Sequence, residues 1–312
     1  MNENQPQANA QALQILVIAD DKAGHQNQSL GLAQAIGRHV AVVITQAAPL
    51  TKLDIGQSLA LQQAPPPWQG IPRPDIAICT GSGTHLSLLA VTRIFPECFT
   101  TLLCTSLLPS SLFDLNVVPE HDNHRPGSNI IFTKGVLNKV VPGEQKEVNY
   151  GLMLIGGESK HYRWSDHQLI EQIRSVCNQT PETHWHITNS RRTPQRFNEL
   201  LQKQLPHLDF HPWQETPSGW LPKQLARAEK IWVTPDSVSM VYESLTSGNT
   251  VYLFRLKSRR TRVARGIEAL RDKETGDLRK RQIIEPSATS PLWEAERIAH
   301  IILQKLGIQA RH

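Results

Sequence analysis

A histidine at position 25 follows Gly24, a few residues after Asp20 and Asp21, with the amides of Asn27 and Gln28 next to it. An imidazole oriented by a carboxylate can act as a general base near neutral pH. His25 is therefore the candidate catalytic base, with Asp21 assisting; a structural histidine is the alternative. A second group is Ser190-Arg191-Arg192-Thr193-Pro194. It sets two guanidinium groups directly after an apolar run, where Thr193 can cap a helix that Pro194 begins. Both features favour a phosphate group, although solvated arginines paired with surface acids would look the same. The third is Glu243, within Ile231–Phe254, IWVTPDSVSMVYESLTSGNTVYLF. That stretch reads as strand, turn, short helix, strand. Val238, Val241, Tyr242 and Leu245 repeat at helical spacing, which leaves Glu243 on the other side with Ser239, Thr246 and Ser247. One carboxylate among small hydroxyls suits a polar ligand, or is an ordinary surface glutamate.

Loops must carry these groups. In open α/β sheets, ligands bind beyond the carboxyl ends of the strands, where loops meet helix N-termini. Four loops fit that position: 20–28, 81–84, 156–159 and 190–194. Gly81-Ser82-Gly83-Thr84 and Gly156-Gly157-Glu158-Ser159 each follow an apolar strand. Neither is a Walker A sequence, and the first has Leu86 where GxGxxG needs its third glycine. After Thr234-Pro235, Asp236 or Ser237 can cap the helix that carries Glu243.

The elements behind the loops alternate. Strands are expected at Leu13–Ala19, Val40–Thr45, Ile76–Thr80, Phe99–Thr105 and Ile130–Thr133. Helices are marked by Leu30, Leu32, Ala33 and Ile36, and by Leu86–Phe95. After the aperiodic Pro142–Asn149 the pattern restarts with strands at Gly151–Ile155 and Trp185–Thr188, and helices at Asp166–Cys177 and Gln195–Leu205. It closes on a helix at Leu292–Leu306. Strands alternating with amphipathic helices imply an α/β fold with parallel sheets covered on both faces. The expected plan is a tail at 1–12, a first Rossmann-like domain at 13–145 and a second at 146–312, facing across a cleft.

Composition narrows the class. With 39% hydrophobic and 20% charged residues, the 312-residue chain is globular. Its start carries no signal-peptide pattern, and no apolar run reaches the length of a membrane span. Four cysteines without metal-ligand spacing suggest reduced thiols and a cytoplasmic protein. His121-Asp122-Asn123-His124 and His184-Trp185-His186 supply no convincing zinc set, so no metal site is expected. The net charge of +5 is local: Arg255 to Gln282 carries 11 Lys or Arg against 4 Asp or Glu, a balance of +7, which leaves −2 elsewhere. Such a segment suits phosphates, an anionic membrane surface or nucleic acid. The lack of an interleaved aromatic counts against nucleic acid.

With these residues in view, the chain resembles the family of glycosyltransferase-like proteins related to the plant mitochondrial-fission factor ELM. The resembling motifs are Asp20–Gly31, Asp114–Asp122, Leu154–Trp164, Ser190–Pro194 and Thr234–Phe254. That resemblance implies a GT-B superfamily fold, similar to the enzyme that adds N-acetylglucosamine to lipid-linked peptidoglycan precursors. It implies an N-terminal domain for the acceptor and a C-terminal one for a nucleoside diphosphate sugar. Gly24-His25 would match the loop where acceptor and base meet, with Asn27, Gln28 and Gly81 to Thr84 on the acceptor side. Glu243 would match the ribose-binding glutamate, Ser237 to Ser239 the diphosphate site, and Gly156-Gly157 the glycine loop of the donor domain. Ser190, Arg191, Arg192, Thr234 and Asp236 complete the expected donor set. No cofactor or metal is implied beyond the nucleotide-sugar co-substrate, because helix dipoles and basic side chains stabilise the departing diphosphate. The +7 charge of the basic segment, rather than the resemblance, suggests an anionic or lipid-linked acceptor, or peripheral contact with an anionic membrane. Thr250 stands where the superfamily has proline, and the 255–282 segment maps onto no general role. The same fold and donor site would also serve an epimerase or hydrolase of the nucleotide-sugar, or a non-catalytic scaffold.

Overall fold

The computed structural model describes residues 12–106, 108–122, 124–143, 146–217, 219–270, 283–284 and 292–309. Two compact units divide the chain, Met1–Thr133 with Ala295–His312, and Lys134–Glu294. Each is an α/β unit built on a six-stranded sheet.

The first unit contains β1 (Leu13–Ile18), α1 (Ala23–His39), β2 (Val42–Ala47), α2 (Lys52–Leu61), β3 (Ile76–Thr80), α3 (His85–Ile94), β4 (Phe99–Leu103), β5 (Leu115–Pro119) and β6 (Ile130–Thr133). All six strands are parallel, in the order β2-β1-β3-β4-β5-β6. Ile15–Ile18 and Ile76–Thr80 are buried at every position, as strands covered on both faces must be. Ile15–Ile18 runs level with Ile76–Cys79, so the carboxyl ends of β1 and β3 emerge side by side. Strand order reverses between them, which makes this the topological switch point of the sheet.

The second unit contains β7 (Tyr150–Leu154), β8 (Tyr162–Arg163), α4 (Asp166–Gln179), β9 (His184–Thr188), α5 (Gln195–Gln204), β10 (Asp209–His211), α6 (Trp220–Arg227), β11 (Lys230–Val233), α7 (Val238–Thr246), β12 (Thr250–Leu253), β13 (Lys257–Ser258), α8 (Arg262–Ala269) and β14 (Ile283–Ile284). Its sheet runs β10-β9-β7-β11-β12-β14, with only the last pairing antiparallel. Leu152, Leu154, Ile231, Val233, Val241 and Leu245 pack one face, and Met153, Ile155, Ile170, Ile187 and Phe197 pack the other. β7 lies level with β11, Gly151 to Leu154 against Lys230 to Val233, and forms the second switch point.

Several elements differ from the sequence expectation. The helix after β1 begins at Ala23, so His25, Asn27 and Gln28 stand in its first turns rather than on a loop. The closing helix, α9 (Glu294–Lys305), belongs mostly with the first unit, and the break falls at 133/134 rather than 145/146. The cause is local: Glu296 binds Arg38 and His39 at the end of α1, and Arg297 donates to the Phe132 carbonyl. Within the basic segment, 255–270 is ordered around α8, whose Thr261 cap accepts from the Ala264 amide and whose Ile267 joins the core. The remainder, 271–282, lies outside the described residues, as does the expected tail apart from Ala12. No helix among the described residues is long and apolar enough to cross a membrane.

Candidate functional site

At the first switch point the chain leaves β1 and turns at Asp20, whose Oδ1 accepts from the Lys22 amide at 3.2 Å. This starts α1 without a side-chain cap at Lys22. The Lys22 carbonyl accepts from the His25 and Gln26 amides, and the Asp20 carboxylate folds back to the imidazole. His25 Nδ1 lies 2.8 Å and 3.0 Å from the two Asp20 oxygens. The carboxylate in contact with the imidazole is that of Asp20, while Asp21, expected to assist the histidine, is exposed. Asp20 can bond Nδ1 because the turn reverses the chain between them; Asp21, one residue on, takes no part in this contact. That contact engages Nδ1 and not Nε2.

Gly81 closes over the same ring. A Cβ there would sit 2.3 Å from His25 Nδ1 and Cε1, and its φ is +92°. Only glycine meets both conditions. Gly81→Ala is thus expected to displace the imidazole and to lower stability by about 1–3 kcal/mol, from left-handed strain and overpacking. Thermal unfolding, with histidine NMR resonances to follow His25, checks it; an unshifted His25 signal would count against the packing described. Thr84 is buried and its hydroxyl donates to the Gly81 carbonyl, while Ser82 and Gly83 are exposed. Gln28 is buried, donates to the Gly24 carbonyl and accepts from Cys104 Sγ. The expected acceptor-side residues therefore cluster, and Asn27 sits on the adjoining turn of α1. His85, which sequence reasoning missed, lies buried at the start of α3 with Nε2 lacking a hydrogen-bond partner. Burial first, and then nearby His25, lower its pKa.

At the second switch point three loops interlock. The Gly156 amide donates to Thr234 Oγ1 at 2.7 Å, and the Gly157 amide to Asp236 Oδ2 at 2.8 Å. Arg192 Nη2 donates to the same Asp236 oxygen at 2.9 Å, and its Nη1 reaches the Glu158 carbonyl at 2.9 Å. Ser190 Oγ donates to the Gly156 carbonyl, and Thr193 Oγ1 does so as well. Burial pushes the Asp236 carboxyl up, against the lowering effect of the Gly157 amide, the Thr234 hydroxyl and Arg192. Thr234 and Asp236, expected as donor ligands, thus lock the loops, and Arg192 is partly committed to that lock. Arg191 remains exposed. Thr193 does not cap α5, because its hydroxyl is used within the loop interlock; the helix begins at Gln195 with Pro194 at the cap position.

Ser237 is the cap residue of α7 and makes no side-chain cap bond, which leaves the first amides of that helix to other partners. Ser239 and Glu243 are half-buried on it. Their expected companions are not on an open face: Thr246 and Ser247 are buried, with Thr246 Oγ1 bonded to Asn138 and the Leu292 carbonyl. Lys139 faces Glu243. Among the described residues, two clusters of possible metal ligands also appear, His39-Glu296-His300 and His186-Asp209-His211. His184-Trp185-His186 supplies no convincing ligand set by itself, and the other two members of the cluster around His186 come from a different strand.

The model of the family described as Mitochondrial fission ELM1 matches residues 23–306. A Rickettsia prowazekii protein described only as uncharacterised is 23% identical, over 95% of this chain and 99% of its own. Among solved structures, the S. aureus MnaA-UDP co-structure superposes with a TM-score of 0.54 at 14% identity, covering 95% of this chain and 98% of that one. A UDP-N-acetylglucosamine 2-epimerase superposes with a TM-score of 0.56 at 14% identity, covering 95% and 96%. At these identities the likeness establishes the fold, a GT-B type with two Rossmann-like units.

Proposed function

Given that this chain belongs to the mitochondrial fission ELM1 family, we propose that it is an enzyme that uses a nucleoside diphosphate sugar and transfers the sugar to an acceptor. The carrying observation is the position of the interlocked loops. Gly156-Gly157, Ser190 to Thr193 and Thr234 to Ser237 meet at the switch point of the second sheet, where α/β sheets bind nucleotides. In this reading the uncapped amides of α7 and the exposed Arg191 take the diphosphate. Glu243 takes the ribose hydroxyls. The His25–Asp20 pair of the first unit serves the acceptor, with Nε2 accepting the hydroxyl proton as the sugar is attacked.

A second reading has one specific support, the fold shared with a UDP-N-acetylglucosamine 2-epimerase. There the same sites would epimerise the nucleotide-sugar with no acceptor. Incubation with UDP-sugars separates the two. UDP release that depends on an added acceptor supports transfer, and an epimeric UDP-sugar formed without acceptor supports epimerisation. Neither product, together with no binding of UDP by calorimetry, would sink both.

Glu243→Ala is expected to weaken UDP binding by about 10- to 150-fold, the worth of charge-assisted hydrogen bonds of roughly 1.5–3 kcal/mol. Glu243→Gln should fall between, and 2′-deoxy-UDP should gain nothing from the change. Calorimetric titration checks it; equal UDP affinity in Glu243→Ala with normal melting would assign this carboxylate to the helix surface.

A further inference from the structure

His186, Asp209 and His211 converge although no motif joins them. β9 and β10 run parallel with His186 level with Asp209 and Thr188 level with His211. Alternation along β10 returns residues 209 and 211 to one face, and the register sets His186 beside them. His186 Nδ1 lies 2.9 Å from Asp209 Oδ2, His211 Nε2 lies 3.2 Å from the same oxygen, and the two nitrogens are 3.2 Å apart. A triangle of these edges matches three corners of a tetrahedron around an ion with 2.0–2.1 Å bonds, for which the edge is about 3.3 Å.

The rings are also held from behind. Tyr150 stacks on His186 with centroids 4.3 Å apart, and Trp220 of α6 lies 5.0 Å from His211. Arg227 sits over Tyr150, and Glu147 pairs with it at 2.8 Å. The cluster is open to solvent, for Asp209 is 58% exposed, and a pocket of about 480 Å³ beside it is lined by His184, His186, His207 and Asp209 among others. The other ligand-bearing cluster compares poorly. Glu296 there already holds the Arg38 guanidinium at 2.6 Å, a fixed positive charge against any cation.

We propose that His186, Asp209 and His211 form a binding site for one divalent transition-metal ion, Zn²⁺ above others, that clips the edge strand β10 to β9. Two imidazoles and one carboxylate suit zinc and disfavour magnesium or calcium, which need mostly oxygen ligands. The site takes no part in the sugar chemistry proposed above and stands whether or not that reading holds. β10 is only three residues long and lies at the edge of the sheet. A metal bond across it would supply what so short a ladder lacks.

The test uses the full chain stripped with chelator and titrated with Co²⁺, whose visible absorption reports low-symmetry nitrogen and oxygen ligation, then with Zn²⁺ in competition. One equivalent of Co²⁺ should give the band, and one equivalent of Zn²⁺ should remove it. Zn²⁺ at about 100 times its dissociation constant should also raise Tm by several degrees, since it binds the folded state. His186→Asn and His211→Asn should each abolish band and shift, while His39→Asn with His300→Asn should keep both. No stoichiometric band in the wild type overturns the proposal, and so does a band that survives in the His186→Asn, His211→Asn double variant. Should those variants fail to fold, X-ray absorption of the zinc-loaded His39→Asn, His300→Asn variant decides: two imidazoles and a carboxylate support the site, and any sphere with fewer than two imidazoles overturns it.

Discussion

Gly157→Ala is expected to lower stability by about 3–5 kcal/mol and to abolish nucleotide binding with it. A Cβ at this position would lie 2.1 Å from the Arg192 carbonyl oxygen, 2.2 Å from its carbon and 2.6 Å from the Thr193 nitrogen. All three are main-chain atoms, so no side-chain rotation relieves the overlap. The 190–194 loop must move off the 156–159 loop. That move breaks the Arg192 bonds to the Gly157 and Glu158 carbonyls and loosens the Gly157 amide from Asp236. Overpacking costs about 1–3 kcal/mol, and hydrogen bonds to a buried charge about 1.5–3 more. The matching fall in Tm is roughly 6–20 °C for a unit of this size. Gly83→Ala is the control, because a Cβ there meets nothing within 4 Å, and it should stay within about 0.5 kcal/mol of wild type. Denaturant unfolding of both variants decides the point. Equal midpoints would mean that the loops are not locked as described.

His25→Ala is expected to lower turnover by about 10²–10⁴-fold, the usual worth of a positioned general base, while UDP affinity stays unchanged. The two measurements are independent because His25 belongs to the first unit and the proposed donor loops to the second. Asp20→Asn should cause a smaller fall, since the amide can still orient the ring at Nδ1 but carries no charge to stabilise the imidazolium. Asp21→Asn should leave the rate alone. This contrast is the sharper half of the test, because adjacent carboxylates are separated only by the turn that precedes α1. A wild-type rate in His25→Ala, or an effect confined to Asp21→Asn, would remove the assigned pair.

β1, β3 and β7 were legible because they are buried through almost their whole length and continuous apolar runs announce that directly, whereas β5, equally buried, carries Asn116 and Pro119 and was not among the expected strands. The start of α1 was hidden. Lys22 is no capping residue, and the polar run from His25 to Ser29 resembles a loop until Asp20 is seen to turn the chain. α2 carried a signal that was overlooked, the Thr51–Asp54 capping box ahead of a helical pattern. β10 and its contribution to the His186 cluster were beyond reach, since three residues carry no period and the ligands meet only through strand register. The candidate sites show the same divide. Loop positions followed from strands and glycines, whereas the roles of Asp20, Asp236 and Arg192 depend on contacts over distances that spacing does not encode.

α9 also has a consequence for how the chain is made. The first unit is interrupted in sequence: Thr133 is its last residue before the second unit intervenes, and its remaining part begins at Ala295. At 5–20 residues per second, roughly 10–30 s of synthesis separates these two points. During that interval Glu296 is absent, and Arg38 and His39 at the end of α1 lack the partner that they have in the finished protein. The second unit, continuous from Lys134 to Glu294, has all of its own contacts available before the first is complete. The closing helix is therefore the last part of the amino-terminal unit to be made, and that unit stays without it until synthesis has passed Glu294.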